Sequence, residues 1–386
     1  MLPVVNTHVH VPPNFSAFAT PADVVAAAAR EGVRAVGFSN FFDLEVYPLI
    51  GGLARDQGIL PLYGLEFITV AQDLEARGVL VNDPANPGRL YLTGKGIDPT
   101  RPRSARAARI AAQIRVDNDR RAEQMVARVA AHFAGAGFAT GLVAADVVAA
   151  VAGRAGVPAA WVSLQERHIA RAFQEALFTL DPAERARVLA AAYGRPSGVA
   201  PDDIVGLQAE LRSRLLKAGT PGFVPDPRLS FEDAYAYIVD MGGIPCYPIV
   251  ADGIDPLSPF ETPPAALAEE LLRRGIHATE LIPNRNRGAV ADEFVRELRA
   301  AGLIVMGGTE HNTLDPIPLD PSYADGELSE PTRQAFYEAT CVVAAHADRV
   351  GQGEAGFVDA TGAPTGGVTA LIAAGDRLIR QSPNGN

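Results

Sequence analysis

The 386-residue sequence has only two cysteines, Cys246 and Cys341, and they stand in different contexts without metal-type spacing. That argues against a disulfide framework and fits a reducing compartment. Basic charge is short too: 34 Lys and Arg against 45 Asp and Glu leave a formal net charge of -11. A general nucleic-acid binder needs a basic surface to neutralise phosphates, so nucleic acid is excluded as a partner. A small anionic substrate is not excluded, because a local arginine cluster can override the global sign. No apolar run approaches the roughly 20 residues that span a bilayer, and no unit repeats at a fixed spacing. The first strand begins so near Met1 that a signal peptide has no room. The expectation is a cytoplasmic protein, away from membranes, acting on a small molecule, with a homo-oligomer left open.

What is present is an alternation of two periods. "LPVVNTHVH" reads as a strand and "TPADVVAAAAREG" as a helix, with Thr20 as N-cap, Pro21 in the first turn and Gly32 as the stop. "VRAVGFSNF", "GILPLYGLEF" and "RLYLTGKG" give the second, third and fourth strands. From 101 to 229 the chain is alanine- and arginine-rich with helical spacing and no clear strand. The alternation resumes at Ser230 with a helix that starts like a capping box, Ser230 to Asp233. It continues through the strands "IPCYPIV", "IHATELIPN" and "LIVMGGTEHN". Short apolar strands alternating with helices predict α/β architecture, with βα units in a parallel sheet or barrel. Residues 1–100 and 230–350 would form it, 101–229 would be a helical insertion, and 351–386 a C-terminal extension ending in one helix.

In such a barrel, functional groups gather at the C-terminal strand ends. The seven ends offer His8 and His10; Ser39 and Asn40; Glu66; Tyr91 and Lys95; Tyr247 and Asp252; Glu280, Asn284, Arg285 and Arg287; and Glu310, His311 and Asn312. Alternation puts His8 and His10 on one side of their strand. Two imidazoles so placed form a bidentate metal clip, and Glu66 and "TEH" at matching strand ends strengthen that reading. An insertion placed after a strand's C-terminal end is expected to leave and re-enter at this face and to lie over the mouth.

"NTHVH", "GLEF", "TELIPN" and "GGTEHN" resemble, in order and spacing, the motifs of the PHP (polymerase and histidinol phosphatase) superfamily. The resemblance covers both barrel segments and not the insertion. It implies a distorted seven-stranded (βα)7 TIM-like barrel with one to three metals at the mouth, in a family whose characterised members hydrolyse phosphoesters. The ligands of the family's first metal are matched by His8, His10, Glu66 and Glu310, with His311 the alternative to Glu310. The second-metal positions carry Tyr91 and Tyr247, and the third-metal positions Phe41 and Asn312, while Asn40 stands for the usual Asp. The resemblance thus implies a mononuclear site for a divalent transition metal, Zn, Mn or Fe, with Tyr91, Tyr247 and Asn40 as catalytic candidates. The reading is a metal-dependent hydrolase of a small anionic or carbonyl-containing molecule. The alternatives are a PHP-type phosphoesterase, a non-hydrolytic lyase or isomerase, and an inactive ligand-binding barrel. An amidohydrolase barrel also begins with His-x-His and can use a lysine near Lys95. It wants histidines, however, where this sequence has Tyr247 and Glu280.

For substrate, the candidates are Arg285 and Arg287 as an anion fork, Asn284 beside them, and Lys95 after a glycine. His168 is a further candidate, as the one histidine on an amphipathic insertion helix. Each has a plainer alternative as a solvated or buried structural group. His132, His277 and His346 lack polar company and read as structural.

Overall fold

The computed structural model describes residues 2–83, 86–254, 258–315 and 317–381. It divides into two compact units. The barrel unit comprises Met1–Val11, Pro21–Ala111 and Arg228–Asn386, and the helical unit comprises Pro12–Thr20 and Ala112–Pro227.

The strands of the barrel unit are β1 (Val4–Val9), β2 (Val33–Phe41), β3 (Leu60–Val70), β4 (Arg89–Lys95), β5 (Ile244–Ile249), β6 (Ala278–Leu281) and β7 (Ile304–Gly307). They lie side by side in chain order in one sheet. The helices, in chain order, are α1 (Pro21–Arg30), α2 (Tyr47–Asp56), α3 (Gln72–Ala76), α4 (Ala105–Gly135), α5 (Ala144–Ala155), α6 (Glu166–Leu177), α7 (Pro182–Tyr193), α8 (Ile204–Leu211), α9 (Phe231–Asp240), α10 (Pro264–Arg273), α11 (Gly288–Ala300), α12 (Glu330–Gly351) and α13 (Val368–Gln381). None of the described helices is long and apolar enough to cross a membrane.

The local signals act as their chemistry suggests. α1 starts at Pro21 and stops before Gly32, which takes the left-handed backbone at φ 69°. The Ser230 hydroxyl accepts from the Asp233 N–H and caps α9. β6 and β7 are buried along their whole length, as parallel strands covered on both faces are. On one side, Val5, Ala35, Leu62 and Met306 pack with Tyr337, Val342 and Val343 of α12 and Leu371 of α13.

The sheet is nearly closed. Val9 bridges Glu310. The His10 N–H donates to the Glu310 carbonyl at 2.8 Å, and the Glu310 N–H donates to the His8 carbonyl at 2.7 Å. A Cβ on Gly308 would sit 2.3 Å from the His8 Cβ, so only glycine lets the end of β7 approach β1 this closely.

One strand corrects the all-parallel expectation. β4 runs antiparallel to both β3 and β5. The connection before it explains why. α3 has five residues and rises about 7.5 Å, whereas a return along the seven residues of β4 takes about 23 Å. Without a crossover helix the chain turns back as a hairpin. Lys95 consequently pairs with Gly64 and Ile244, at the end of the sheet away from the C-terminal ends of the parallel strands. The chain leaves the sheet there, and not at the mouth as expected, but it rejoins at the C-terminal end of β3, where Ser230 bridges Val70.

The helical unit has its own core. Met125, Val129 and Phe133 of α4 pack with Phe173 and Leu177 of α6, Val188 of α7 and Leu211 of α8. Phe133 and Phe173 stack at 5.7 Å.

Candidate metal centre

The centre starts from β1, whose pairing with β2 shifts register between Asn6 and Val9. Such an irregularity re-aims side chains. Thr7 and His8, neighbours in sequence, both reach Glu280 of β6: the Thr7 hydroxyl donates to Oε1 at 2.6 Å and His8 Nδ1 lies 2.7 Å from Oε2. The Asn6 amide ties the strand to the Thr309 hydroxyl and the Leu319 carbonyl.

Beyond this anchor His8 Nε2 stands 3.4 Å from His10 Nε2, which stands 3.5 Å from Glu66 Oε2. The three ligand atoms lie within 4.8 Å of one another, and among the described residues this is the one such group. A tetrahedral ion about 2.1 Å from each ligand places the ligands about 3.4 Å apart, so spacing and donor set both fit a transition metal. Three protein ligands leave a position open, as catalytic sites do. The Phe41 ring stacks on His10 at 5.2 Å.

Charge is arranged around the cluster in layers. Burial pushes the Glu66 carboxyl up to about 7, opposed by His8 and reinforced by Glu310. Burial also works against the Glu280 carboxylate, but Lys95 and His8 outweigh it and hold the group at about 2. Lys95 Nζ sits 2.7 Å from Glu280 Oε2 and also donates to the Thr7 carbonyl and the Ser39 hydroxyl. Lys95 and Glu280 are 3% and 0% exposed, so bulk solvent does not screen the pair.

On the outer side the turn after β7 places two residues in the left-handed region, Glu310 at φ 60° and His311 at φ 54°. Each such non-glycine residue costs on the order of 1 kcal/mol and persists where the surroundings force it. Here the two backbone bonds to β1 do so. The Glu310 carboxylate pairs with the half-exposed Arg285 and accepts from the Asn312 amide at 2.7 Å. Burial works against its charge, yet Arg285, His8 and His10 hold it below the usual range.

The sequence-derived candidates therefore separate. His8, His10 and Glu66 come together, with Glu310 and Arg285 alongside. His311 does not join them, since its ring nitrogens face the Thr309 hydroxyl at 2.8 Å and the Ile317 carbonyl at 3.0 Å. Asn40 spends its amide on the Val11 backbone, accepting at 2.9 Å and donating at 3.0 Å, which fixes the chain just past His10. The Tyr247 hydroxyl is fully buried and donates to Glu261 at 2.9 Å. Lys95 is a buried counter-charge rather than a substrate hand. Arg287 is exposed and paired with Asp252. Asn284 lies next to Arg285 in the short 3-10 turn Pro283–Arg285 after β6. His168 belongs to the helical unit, where its Nδ1 accepts from the Gln165 N–H at the start of α6 and burial pushes its pKa down to about 3.

Tyr91 gains from the reversal of β4. It pairs with Ile68, as Thr93 pairs with Glu66, so Tyr91 shares the sheet face of Glu66 and lies two residues nearer the C-terminal end of β3. It is partly exposed, while Thr93 is buried. Glu280 is the residue whose role sequence reasoning missed. Its signal in the sequence was no more than a carboxylate at the end of an apolar strand.

No protein-family model matches the chain, and no curated protein sequence does. Solved structures that share its fold include two of low sequence identity. One is a candidate metal-dependent phosphoesterase from Bifidobacterium adolescentis, with TM-score 0.57 and 16% identity over 87% of this chain and 96% of that one. The other is an amidohydrolase from Chromobacterium violaceum, solved with bound sulfate and no metal, with TM-score 0.54 and 19% identity over 86% of this chain and 95% of that one.

Proposed function

We propose that this chain is a metal-dependent hydrolase of a small anionic molecule, a divergent barrel of the PHP type working with one transition-metal ion. The observation that carries this reading is the convergence of His8, His10 and Glu66 at 3.4 and 3.5 Å. Glu310 would complete the set on moving from Arg285, to which it is paired. A Zn, Mn or Fe(II) ion held there supplies Lewis-acid polarisation of the scissile carbonyl or phosphoryl group. The protein's own groups do the rest. Arg285 is half-exposed beside the ligands and takes the substrate's anionic group. Tyr91, on the face of Glu66, donates a hydrogen bond to the oxygen on which charge develops.

Carboxylic esters, lactones and amides come first as substrates, because a single dication gathers less charge around a phosphate dianion than two or three would. The test is elemental analysis of purified protein followed by a screen of metal-loaded protein, with His8→Ala as the blank. About one metal per chain and His8-dependent turnover of a carbonyl substrate support the proposal. Two or three metals per chain overturn the mononuclear site. Efficient His8-dependent turnover of a phosphate ester, with kcat/KM on the order of 10⁴ M⁻¹s⁻¹, moves the assignment to a phosphoesterase. Absence of metal binding and of turnover leaves an inactive ligand-binding barrel.

A further inference from the structure

We propose that Glu280 and Lys95 form a buried positioning pair that fixes the tautomer of His8 and so sets the metal affinity of the site. The inference rests on the metal reading of His8, His10 and Glu66, and assigns to β4 and β6 a task for that same site.

The argument is one of donors and acceptors. An ionised carboxylate only accepts, so the 2.7 Å contact between His8 Nδ1 and Glu280 Oε2 places the ring proton on Nδ1. The lone pair is then on Nε2, the atom that faces His10 Nε2 at 3.4 Å. With the proton on Nε2 instead, His8 would offer the cluster an N–H and hold no metal. A carboxylate partner also makes the imidazole a better ligand, which is why metal-binding histidines recurrently have one.

The carboxylate must itself stay ionised and still although it is closed off from bulk solvent. Lys95 does this. Its ammonium lies 2.8 Å from Oε1 and 2.7 Å from Oε2 of Glu280, and its remaining donors go to the Thr7 carbonyl at 3.0 Å and the Ser39 hydroxyl at 3.1 Å. The Thr7 hydroxyl adds a bond to Oε1 at 2.6 Å. Two strands, β1 and β4, thus converge on one carboxylate of a third, and β1 contributes to it both from the histidine and from the residue before it. A pair serving stability alone would need no histidine on the same oxygen that takes the lysine.

The test measures metal affinity by chelator competition for wild type, Glu280→Gln and the uncharged double variant Glu280→Gln/Lys95→Met, alongside the thermal melts of the metal-free proteins. Long-range ¹H–¹⁵N spectra of the metal-free wild type report the His8 tautomer, with its signals identified by their loss in His8→Gln. The expected results are a Glu280→Gln affinity about 10–100-fold below wild type, a comparable loss in the double variant, and the Nδ1–H tautomer in wild type. Metal affinity within about threefold of wild type in every variant that melts cooperatively would overturn the proposal. So would an Nε2–H tautomer in wild type, a readout that holds even if no variant folds. Wild type that shows the Nδ1–H tautomer yet binds no metal would count against the hydrolase reading and against the claim that the pair sets an affinity, while leaving the tautomer assignment standing.

Discussion

Glu280 in the barrel unit and Glu166 in the helical unit are carboxylates held at about 2 although burial pushes each the other way. Glu166 meets Arg121 at 3.0 Å, Arg212 at 3.0 Å and Lys217 at 2.7 Å. Its partners come from α4 and from the segment after α8, so it fastens the helical unit to itself. Glu280 meets one lysine and one histidine, and the far nitrogen of that histidine faces two further ligand atoms. The size of a pKa perturbation does not separate the two carboxylates, because structural ion-pair networks perturb as strongly as functional ones. The separation comes from what lies one bond further on: closed pairs in the helical unit, converging lone pairs in the barrel.

The largest test of this contrast removes the convergence itself. His8→Ala or His10→Ala is expected to abolish stoichiometric metal binding and to lower kcat/KM by about 10³-fold, as befits several kcal/mol of lost transition-state stabilisation. Metal content by elemental analysis and rates on the best substrate of the screen check it together. Either variant retaining a full metal complement would place the site elsewhere.

The matching cut in the helical unit is Glu166→Gln. A carboxyl lowered from 4.5 to about 2 corresponds to about 3 kcal/mol of stability. Denaturant unfolding at neutral pH should show a loss of that order, with metal content unchanged. The sign with pH follows. The folded-state value lies below the unfolded one, so the contribution is present above about pH 4.5 and is lost as pH falls toward 2. The gap between wild type and variant should therefore shrink in acid, and a gap that widened would mean that the cations do not hold Glu166 ionised.

Arg285 lies between these cases, half-exposed yet paired with Glu310. Arg285→Ala should raise KM for an anionic substrate about 10–100-fold, the worth of a charge-assisted hydrogen bond, with metal content and melting temperature near wild type. A neutral analogue of the same substrate should be almost indifferent to the change. An equal loss on both would make Arg285 a prop for Glu310 and not a substrate group.

Much of the metal end is legible in the sequence. His-x-His on a strand, a glutamate at the end of the third strand and a carboxylate after the seventh are local patterns, and a short apolar run identifies its strand wherever that strand ends up. The direction of β4 was not legible in its own residues, because it depends on a connection too poor in helix to carry the chain back. Confusing the two sent Lys95 to the wrong end of the sheet and Tyr91 to the wrong level. The choice between Glu310 and His311 hung on consecutive left-handed residues, which no propensity of Glu or His foretells. Glu280 was visible as a strand-end carboxylate, but its partner His8 is 272 residues away, and the difference between ligand and positioning group is one of geometry. The helical period of α12 is hidden in the sequence because its apolar residues form a near-continuous run.

The smallest expected effect concerns His168, for which the sequence left a substrate role open. The ring is buried and its pKa is pushed down to about 3 by that burial, so it is neutral at any working pH. Its Nδ1 accepts from the Gln165 N–H at 3.1 Å, while the His168 N–H donates to the Gln165 carbonyl at 3.0 Å, a reciprocal pairing across the first turn of α6. Phe15, on the other segment of the helical unit, packs against the ring at 5.4 Å. Glutamine at the same position can make the capping bond and keeps most of the volume, so His168→Gln should cost at most about 1 kcal/mol of stability. Both kcat and KM should stay within about twofold of wild type, because a neutral ring spent on a backbone N–H has no lone pair to offer a ligand. A KM raised tenfold with the melting temperature intact would reverse that conclusion and put His168 in contact with substrate.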